Sequence, residues 1–293
     1  MATTVNDVKA ISYGVGQAGA FKSSAAPNTS KDAGRAKRVA AFTYGVIAHA
    51  SFLAVFLYMV GFLGNFGVPK SMDSAPTRPL WEALLINSLL LGLFAVQHSV
   101  MARQGFKRWW TRIVPEPIER STYVMISNLL MAAAFWFWEP MGGTVWNVED
   151  TTIRAVLYAI FGLGCLQVVV SSLFINHFDL FGTRQVWFYL RGREYKPLRF
   201  KVPGAYRYVR HPLYVGWLMV FWATPTMTAA HLLFAALTTT YILVAIRFEE
   251  RDLVAQHGQA YAEYRKRVPM LIPRFSTKSQ SDRGTPAIET AAV

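Results

Sequence analysis

The sequence predicts an all-α integral membrane protein of about six transmembrane helices, with a C-terminal helical hairpin that carries a site. Three observations lead there. The chain is 53% hydrophobic and only 16% charged, whereas a soluble domain is nearer a quarter charged. Its apolar runs recur at about 20 residues, the length that crosses a bilayer. Its basic side chains gather in alternate loops, as in a chain held against acidic lipid on one side.

Residues 1–38 are rich in Ala, Ser, Thr and Gly and lack the apolar core of a secretory signal; they read as a disordered tail ending in Lys31, Arg35, Lys37 and Arg38. The membrane domain is expected over 39–275. Span one covers about 41–64, and Gly64, Gly67 and Pro69 mark the loop after it. Span two lies between Glu82 and Arg103, span three between Arg120 and Glu139, and span four between Arg154 and Asp179. Nothing charged separates Arg210 from Arg247, a stretch too long for one crossing and barely enough for two short ones. Pro225 is the natural cut, so spans five and six form a hairpin that leaves on the face it entered. Beyond Glu250 a short helix is expected to His257, stopped by Gly258. A further helical stretch from Ala260 to Val268 puts Tyr261, Tyr264 and Val268 on one side, to serve as a lid or to rest on the membrane. Residues 276–293 read as a second disordered tail.

Orientation follows from the loops. Arg103, Lys107, Arg108, Arg112 and Arg120 occupy one loop; Arg184, Arg191, Arg193, Lys196, Arg199, Lys201, Arg207 and Arg210 occupy another. By contrast, 65–81 has only Lys70 and Arg78, and 139–152 has Glu139, Glu149 and Asp150 without a base. The alternation places both termini, and both ends of the hairpin, in the cytoplasm. Trp109 and Trp110 beside Lys107 and Arg108 read as an interface anchor.

The formal charge of +13 is thus accounted for by the loops, and nucleic acid is not an expected partner. Cys165 permits no internal disulfide and sits in an apolar run as a small packing residue. No His, Cys and Asp spacing indicates a metal, and the repeats of secondary transporters are missing.

The chemistry-bearing residues cluster at the hairpin ends. His211 precedes Pro212 at the start of span five, where backbone amides lack partners. Such a helix start, with Arg210 and His211 beside it, suits a carboxylate. Tyr214 and Trp217 lie in the first turns, and Gly216 permits close approach. Glu249 and Glu250 emerge at the far end of span six. Singly, each reads as an interfacial anchor; together on one face, they read as a site. His98 ends span two, and His177, Asp179 and Arg184 follow span four, at the same cytoplasmic depth. His49, near mid-span, and His231, near the opposite turn, make weaker candidates.

Arg210-His211-Pro212-x-Tyr214-x-Gly216, an apolar hairpin, and then Glu249-Glu250 resembles the membrane methyltransferases that include isoprenylcysteine carboxyl methyltransferase and phospholipid N-methyltransferases. Within that group the chain is similar to the bacterial methanethiol S-methyltransferases. That likeness rests on Gln97-His98-Ser99-Val100-Met101-Ala102-Arg103, on the 176–185 run from Asn176-His177-Phe178-Asp179 to Arg184-Gln185, and on Val268-Pro269-Met270-Leu271-Ile272-Pro273; it covers roughly 40–275. The resemblance implies a bacterial inner-membrane enzyme that uses S-adenosylmethionine as methyl donor, without a Rossmann domain and without a metal. Its substrate would be a small thiol, methanethiol giving dimethyl sulfide. Arg210, His211, Tyr214, Gly216, Glu249 and Glu250 would hold the cofactor: the cationic groups and span-five amides its carboxylate, a glutamate its ammonium, and an aromatic face its sulfonium. Gly162-Leu163-Gly164 is similar to a small-residue motif of the phospholipid enzymes, though close helix packing also accounts for it.

A thiol with a reference pKa of about 8.5 is only a few per cent thiolate at pH 7. A base or cation beside it therefore helps, and His98, His177, Asp179 and Arg184 are the catalytic candidates. Two alternatives remain: methylation of an isoprenylated carboxyl group or phospholipid amine, and a non-catalytic membrane subunit or transporter that needs neither His211 nor Glu249.

Overall fold

The computed structural model describes residues 34–198 and 201–273. The C-terminal tail, most of the N-terminal tail, and Lys31 and Arg199 lie outside them. Helix α1 runs Arg35–Gly64, α2 Leu80–Ala102, α3 Gln104–Trp110, α4 Glu116–Phe137, α5 Thr151–Phe174, α6 His177–Leu180 and α7 Thr183–Leu190. A 3-10 turn at Gly204–Arg207 leads to α8, Pro212–Trp222, followed by α9, Ala229–His257, and α10, Gln259–Arg267. Two short strands, β1 Thr144–Asn147 and β2 Thr226–Thr228, pair antiparallel. Because α1 begins at Arg35, the last basic residues of the expected tail belong to its first turn.

Four helices, α1, α2, α5 and α9, are long and apolar enough to cross a membrane. Leu57, Leu89, Leu93, Leu163 and Leu166 stay exposed on them, which fits a lipid-facing surface and not a soluble one. The 22-residue α4 rises about 33 Å, enough by length. It turns polar groups inward instead: Asn128 donates to Ala48 O (3.2 Å) and Ser51 Oγ (2.8 Å) on α1.

The hairpin is less symmetrical than expected. At 11 residues, α8 rises only about 16 Å, roughly half a bilayer. Its partner α9 has 29 residues. The missing length is made up by extended chain at 223–228, which in hydrocarbon is tolerated only when its backbone is paired within protein. Here β1 pairs with it, Val148 N donates to Pro225 O (2.9 Å), and Trp146 Nε1 reaches Thr224 O (3.2 Å). Thr228 then caps α9 through His231 N and donates its hydroxyl to Asp73. Burial opposes the charge on Asp73, but His231, 4.0 Å away, and hydrogen bonds from Thr228 and Asn65 hold its pKa below the usual carboxylate range.

Against α5, α8 packs glycine to glycine. A methyl group on Gly216 would lie 2.9 Å from Gly164 O, and one on Gly164 would lie 2.9 Å from Gly216 O. Any side chain at either position would force the helices apart. Gln167 of α5 also reaches Pro212 O (3.4 Å). Gly162 meets nothing within 4 Å, so only the second glycine of the Gly-Leu-Gly run makes the contact.

Candidate active site

Sequence puts His211 and Glu249 in proximity; the structure pairs their neighbours differently. His211 Nε2 meets Glu250 Oε1 at 3.0 Å, while Tyr214 donates to Glu249 Oε2 at 3.0 Å. Two consecutive residues on a helix point about 100° apart, so the glutamates serve different partners. Glu250 also receives Arg210 Nε at 2.6 Å and is 8% exposed. Glu249, with Tyr206, Arg210, His211, Leu213, Tyr214 and Leu253, lines a cavity between the two arms.

The C-terminal segment is tied to the start of α8. Arg210 N donates to Pro269 O (2.8 Å), His211 N to Met270 O (3.1 Å), and Arg210 Nη1 to Val268 O (2.6 Å) and Arg265 O (2.9 Å). The Val268–Pro273 motif is therefore a strap across the start of α8. Tyr261 and Tyr264 of α10 are buried against Tyr206, Leu253 and Ile175, and Tyr264 donates to Tyr206 O (2.7 Å). Burial, followed by the charge of Glu249, raises the Tyr206 phenol pKa. Arg210, His211 and Glu250 are one interlocked unit, and Gly216, expected beside a ligand, makes its close approach to α5.

The four catalytic candidates fall into three places. His98 lies between α2 and α4, with Tyr123 OH at 2.8 Å from Nε2 and Ser127 Oγ at 3.2 Å from Nδ1. Its ring is stacked on Phe94 and faces Tyr241 of α9, whose hydroxyl accepts from Ser99 (3.3 Å).

Asp179 and Arg184 form a brace. Asp179, 2% exposed, takes Arg184 Nη1 at 2.8 Å and Tyr195 OH at 2.9 Å. Burial, then the Asp179 charge, raises the Tyr195 pKa. The local turn that builds this brace needs special backbone: Asn176 has φ 80 and caps α6 by accepting from Asp179 N, and Gly182 has φ 86. A side chain at Gly182 would meet Ser121 N at 2.7 Å, so only glycine fits.

His177 faces away from the brace, towards α1. Its Nε2 lies 2.9 Å from His49 Nε2, its Nδ1 2.8 Å from Ser172 Oγ, and His49 Nδ1 lies 2.9 Å from Thr183 Oγ1. Burial, then the adjacent His49, lowers the His177 pKa. His49, a weaker candidate in the sequence, is the partner that His177 meets on α1. It is the one histidine or charged group between Arg38 and Lys70, and an ionisable group in so apolar a helix is by itself a sign of function. No cluster of three metal-ligating side chains occurs among the described residues.

Groups of both charge signs surround this small cavity. Cationic groups and the start of α8 stand on one side of the cavity, a carboxylate on the other, and an aromatic face between. The profile of the phospholipid methyltransferase family matches residues 155–260, which contain the whole hairpin. The chain is 56% identical over 236 residues to a methanethiol S-methyltransferase of Crocosphaera subtropica, covering 80% of this chain and 92% of that one. A methanethiol S-methyltransferase of Mycobacterium tuberculosis is 49% identical over 81% of this chain and 97% of its own. Nurim of Rattus norvegicus is 31% identical over 64% of this chain and 78% of its own. No solved structure gives a significant match. The extent of identity to two enzymes of one name, with the hairpin site falling inside the matched family region, settles membership: the chain belongs to the methanethiol S-methyltransferase family of membrane methyltransferases.

Proposed function

We propose that the protein transfers a methyl group from S-adenosylmethionine to methanethiol, giving dimethyl sulfide, on the cytoplasmic side of a bacterial inner membrane. The observation that supports this reading is the juxtaposition of Arg210, His211 and Tyr214 at the start of α8 with the Glu249 and Glu250 carboxylates of α9, where Glu249 is held only by Tyr214 among the hydrogen bonds of the described residues. The donor set fits the methyl donor. Glu249 takes the ammonium; Arg210, His211 and the first amides of α8 take the carboxylate; the Tyr214 ring flanks the sulfonium, a contact of about 0.5–2 kcal/mol. Glu250 holds Arg210 and His211 in place and does not itself line the cavity. When bound, the donor supplies an electrophilic methyl group. The protein's part is to orient it, to exclude water with the 268–273 strap, and to raise the thiolate fraction of the acceptor.

Thiolate and sulfonium neutralise each other in the transition state, so a dry site assists the reaction once the thiolate exists. The test is purified protein with labelled S-adenosylmethionine and three acceptors: methanethiol, a prenylated cysteine and a phospholipid amine. Label is expected in volatile dimethyl sulfide alone. Label in either lipid product and none in dimethyl sulfide overturns the reading. Reporter fusions after residues 110, 195 and 270 are expected to report cytoplasm; a periplasmic report at 195 overturns the placement.

A further inference from the structure

We infer that His49 is the proton acceptor for the thiol, reached through the Thr183 hydroxyl and oriented by His177. The inference rests on the methanethiol reading and adds to it a residue and a route.

The hydrogen bonds of the pair have one consistent direction. Ser172 Oγ lies 2.7 Å from Val169 O and 2.8 Å from His177 Nδ1. A carbonyl only accepts, so the single Ser172 proton is committed to Val169 O and His177 Nδ1 must be the donor. In the neutral ring, His177 Nε2 is then an acceptor. It faces His49 Nε2 at 2.9 Å, which must therefore carry a proton. His49 Nδ1 is left as an acceptor, and Thr183 Oγ1 at 2.9 Å donates to it. The chain reads Thr183 to His49 to His177 to Ser172, and the acceptor lone pair of His49 Nδ1 faces the Thr183 hydroxyl.

A hydroxyl in that position moves a proton without a net change of its own. As the thiol S–H bond breaks, its proton goes to Thr183 Oγ1 while the Thr183 proton goes to His49 Nδ1. The sulfur electron pair forms the new bond to the methyl carbon as that carbon's bond to the donor sulfonium breaks. His49 becomes an imidazolium whose Nε2–H is held by the His177 acceptor lone pair, a charge-assisted bond. His177 is thus a positioning residue, as an acidic partner is in other histidine pairs.

The surroundings suit a small apolar thiol. His49, Phe52 and Phe56 recur on one face of α1. Phe52 packs on Phe181 (4.0 Å between ring centroids) and lies 6.4 Å from His177. Phe56 contacts Trp217 of α8 (5.9 Å), one turn beyond Tyr214. Aromatic rings therefore run from the histidine pair to the α8 arm that carries Tyr214, a lining that favours polarisable sulfur. The nearby charges are turned elsewhere: Asp179 and Arg184 bind each other, and Arg120 of α4 donates to Leu180 O (2.8 Å). From α1 and α5, His49 and Ser172 are the groups facing His177.

The experiment compares His49→Gln, His177→Gln, Thr183→Val and Thr183→Ser with wild type, in turnover of methanethiol across pH and in binding of S-adenosylmethionine. His49→Gln and Thr183→Val are expected to lose about 10²-fold in kcat at pH 7, the low end of general-base effects, with cofactor affinity and melting temperature kept. Thr183→Ser retains activity. The loss shrinks as pH rises, and it shrinks with 2,2,2-trifluoroethanethiol, a more acidic thiol of similar build. A loss independent of pH, or wild-type turnover in His49→Gln at pH 7, overturns the inference. If His49→Gln does not fold, Thr183→Val carries the same comparison. Wild-type protein that binds the cofactor and leaves methanethiol unmethylated overturns the functional reading itself, and this inference with it.

Discussion

Two clusters in this molecule use the same residue types to opposite ends. In the brace after α5, Asp179 meets Arg184 and Tyr195, and Arg184 completes itself on Lys196 O. At the hairpin, Glu250 meets Arg210 and His211, and beside them Glu249 meets Tyr214. The brace does not line the cavity between α8 and α9, and its carboxylate holds Arg184 and Tyr195 on one oxygen. The hairpin cluster carries a second carboxylate that lines a cavity and has one hydrogen-bond partner among the described residues. An arginine, an acid and a tyrosine therefore do not by themselves mark a binding site; the hairpin cluster differs from the brace by a carboxylate that faces a cavity.

The largest effect is expected from breaking the brace. Asp179→Asn leaves the Arg184 charge without its partner in a low-dielectric setting, a loss of about 3–5 kcal/mol for a buried pair. The melting temperature in detergent falls accordingly. Replacing both partners, Asp179→Leu with Arg184→Met, recovers most of it. A double variant as unstable as the single one would mean the brace is more than a charge pair.

A looser ion pair extends the comparison. Lys107 lies 4.0 Å from Glu119, and burial, with Arg120 nearby, lowers its pKa from 10.5 to about 8. The folded state thus holds fewer protons than the unfolded state between about pH 8 and 10.5. Stability is expected to rise with pH in that window, while below pH 8 the cost of the buried charge stands in full. Lys107→Met should remove that dependence and stabilise by roughly 3 kcal/mol at neutral pH. Parallel stability curves for the two proteins from pH 8 to 10.5 would refute it.

At the hairpin, Glu249→Gln is expected to leave folding intact and weaken S-adenosylmethionine by about 1.5–3 kcal/mol, the worth of a charged hydrogen bond. Glu250→Gln should instead lower both affinity and stability, because it frees Arg210 and His211. Equal effects on affinity and melting temperature from the two variants would erase the distinction drawn between them. The smallest change belongs to Arg267→Ala on α10, whose pair with Glu263 is 72% and 46% exposed; turnover and melting temperature should stay at wild-type values.

Most of the plan was readable from one sequence. The long apolar helices α1, α2, α5 and α9 follow from runs of about 20 apolar residues, and nothing else satisfies their backbones in lipid. Arg210-His211-Pro212 and Glu249-Glu250 converge because a hairpin returns its ends to one face. The short arm was not readable. Hydropathy does not distinguish 11 helical residues plus a paired strand from a full crossing, since both are apolar. Pairing with β1 decided it, from a loop some 80 residues away.

Chain pattern by itself determined the class, the family likeness and the residues that meet at the hairpin, because periodicity and spacing are local. The tertiary structure decided which partner each polar group takes. It separated Glu249 from Glu250 by their 100° divergence on α9 and turned Gly216 onto α5. It also brought His49 within 2.9 Å of His177, 128 positions along the chain. Such pairings depend on how helices pack, and side-chain direction across a helix interface is written in no single segment.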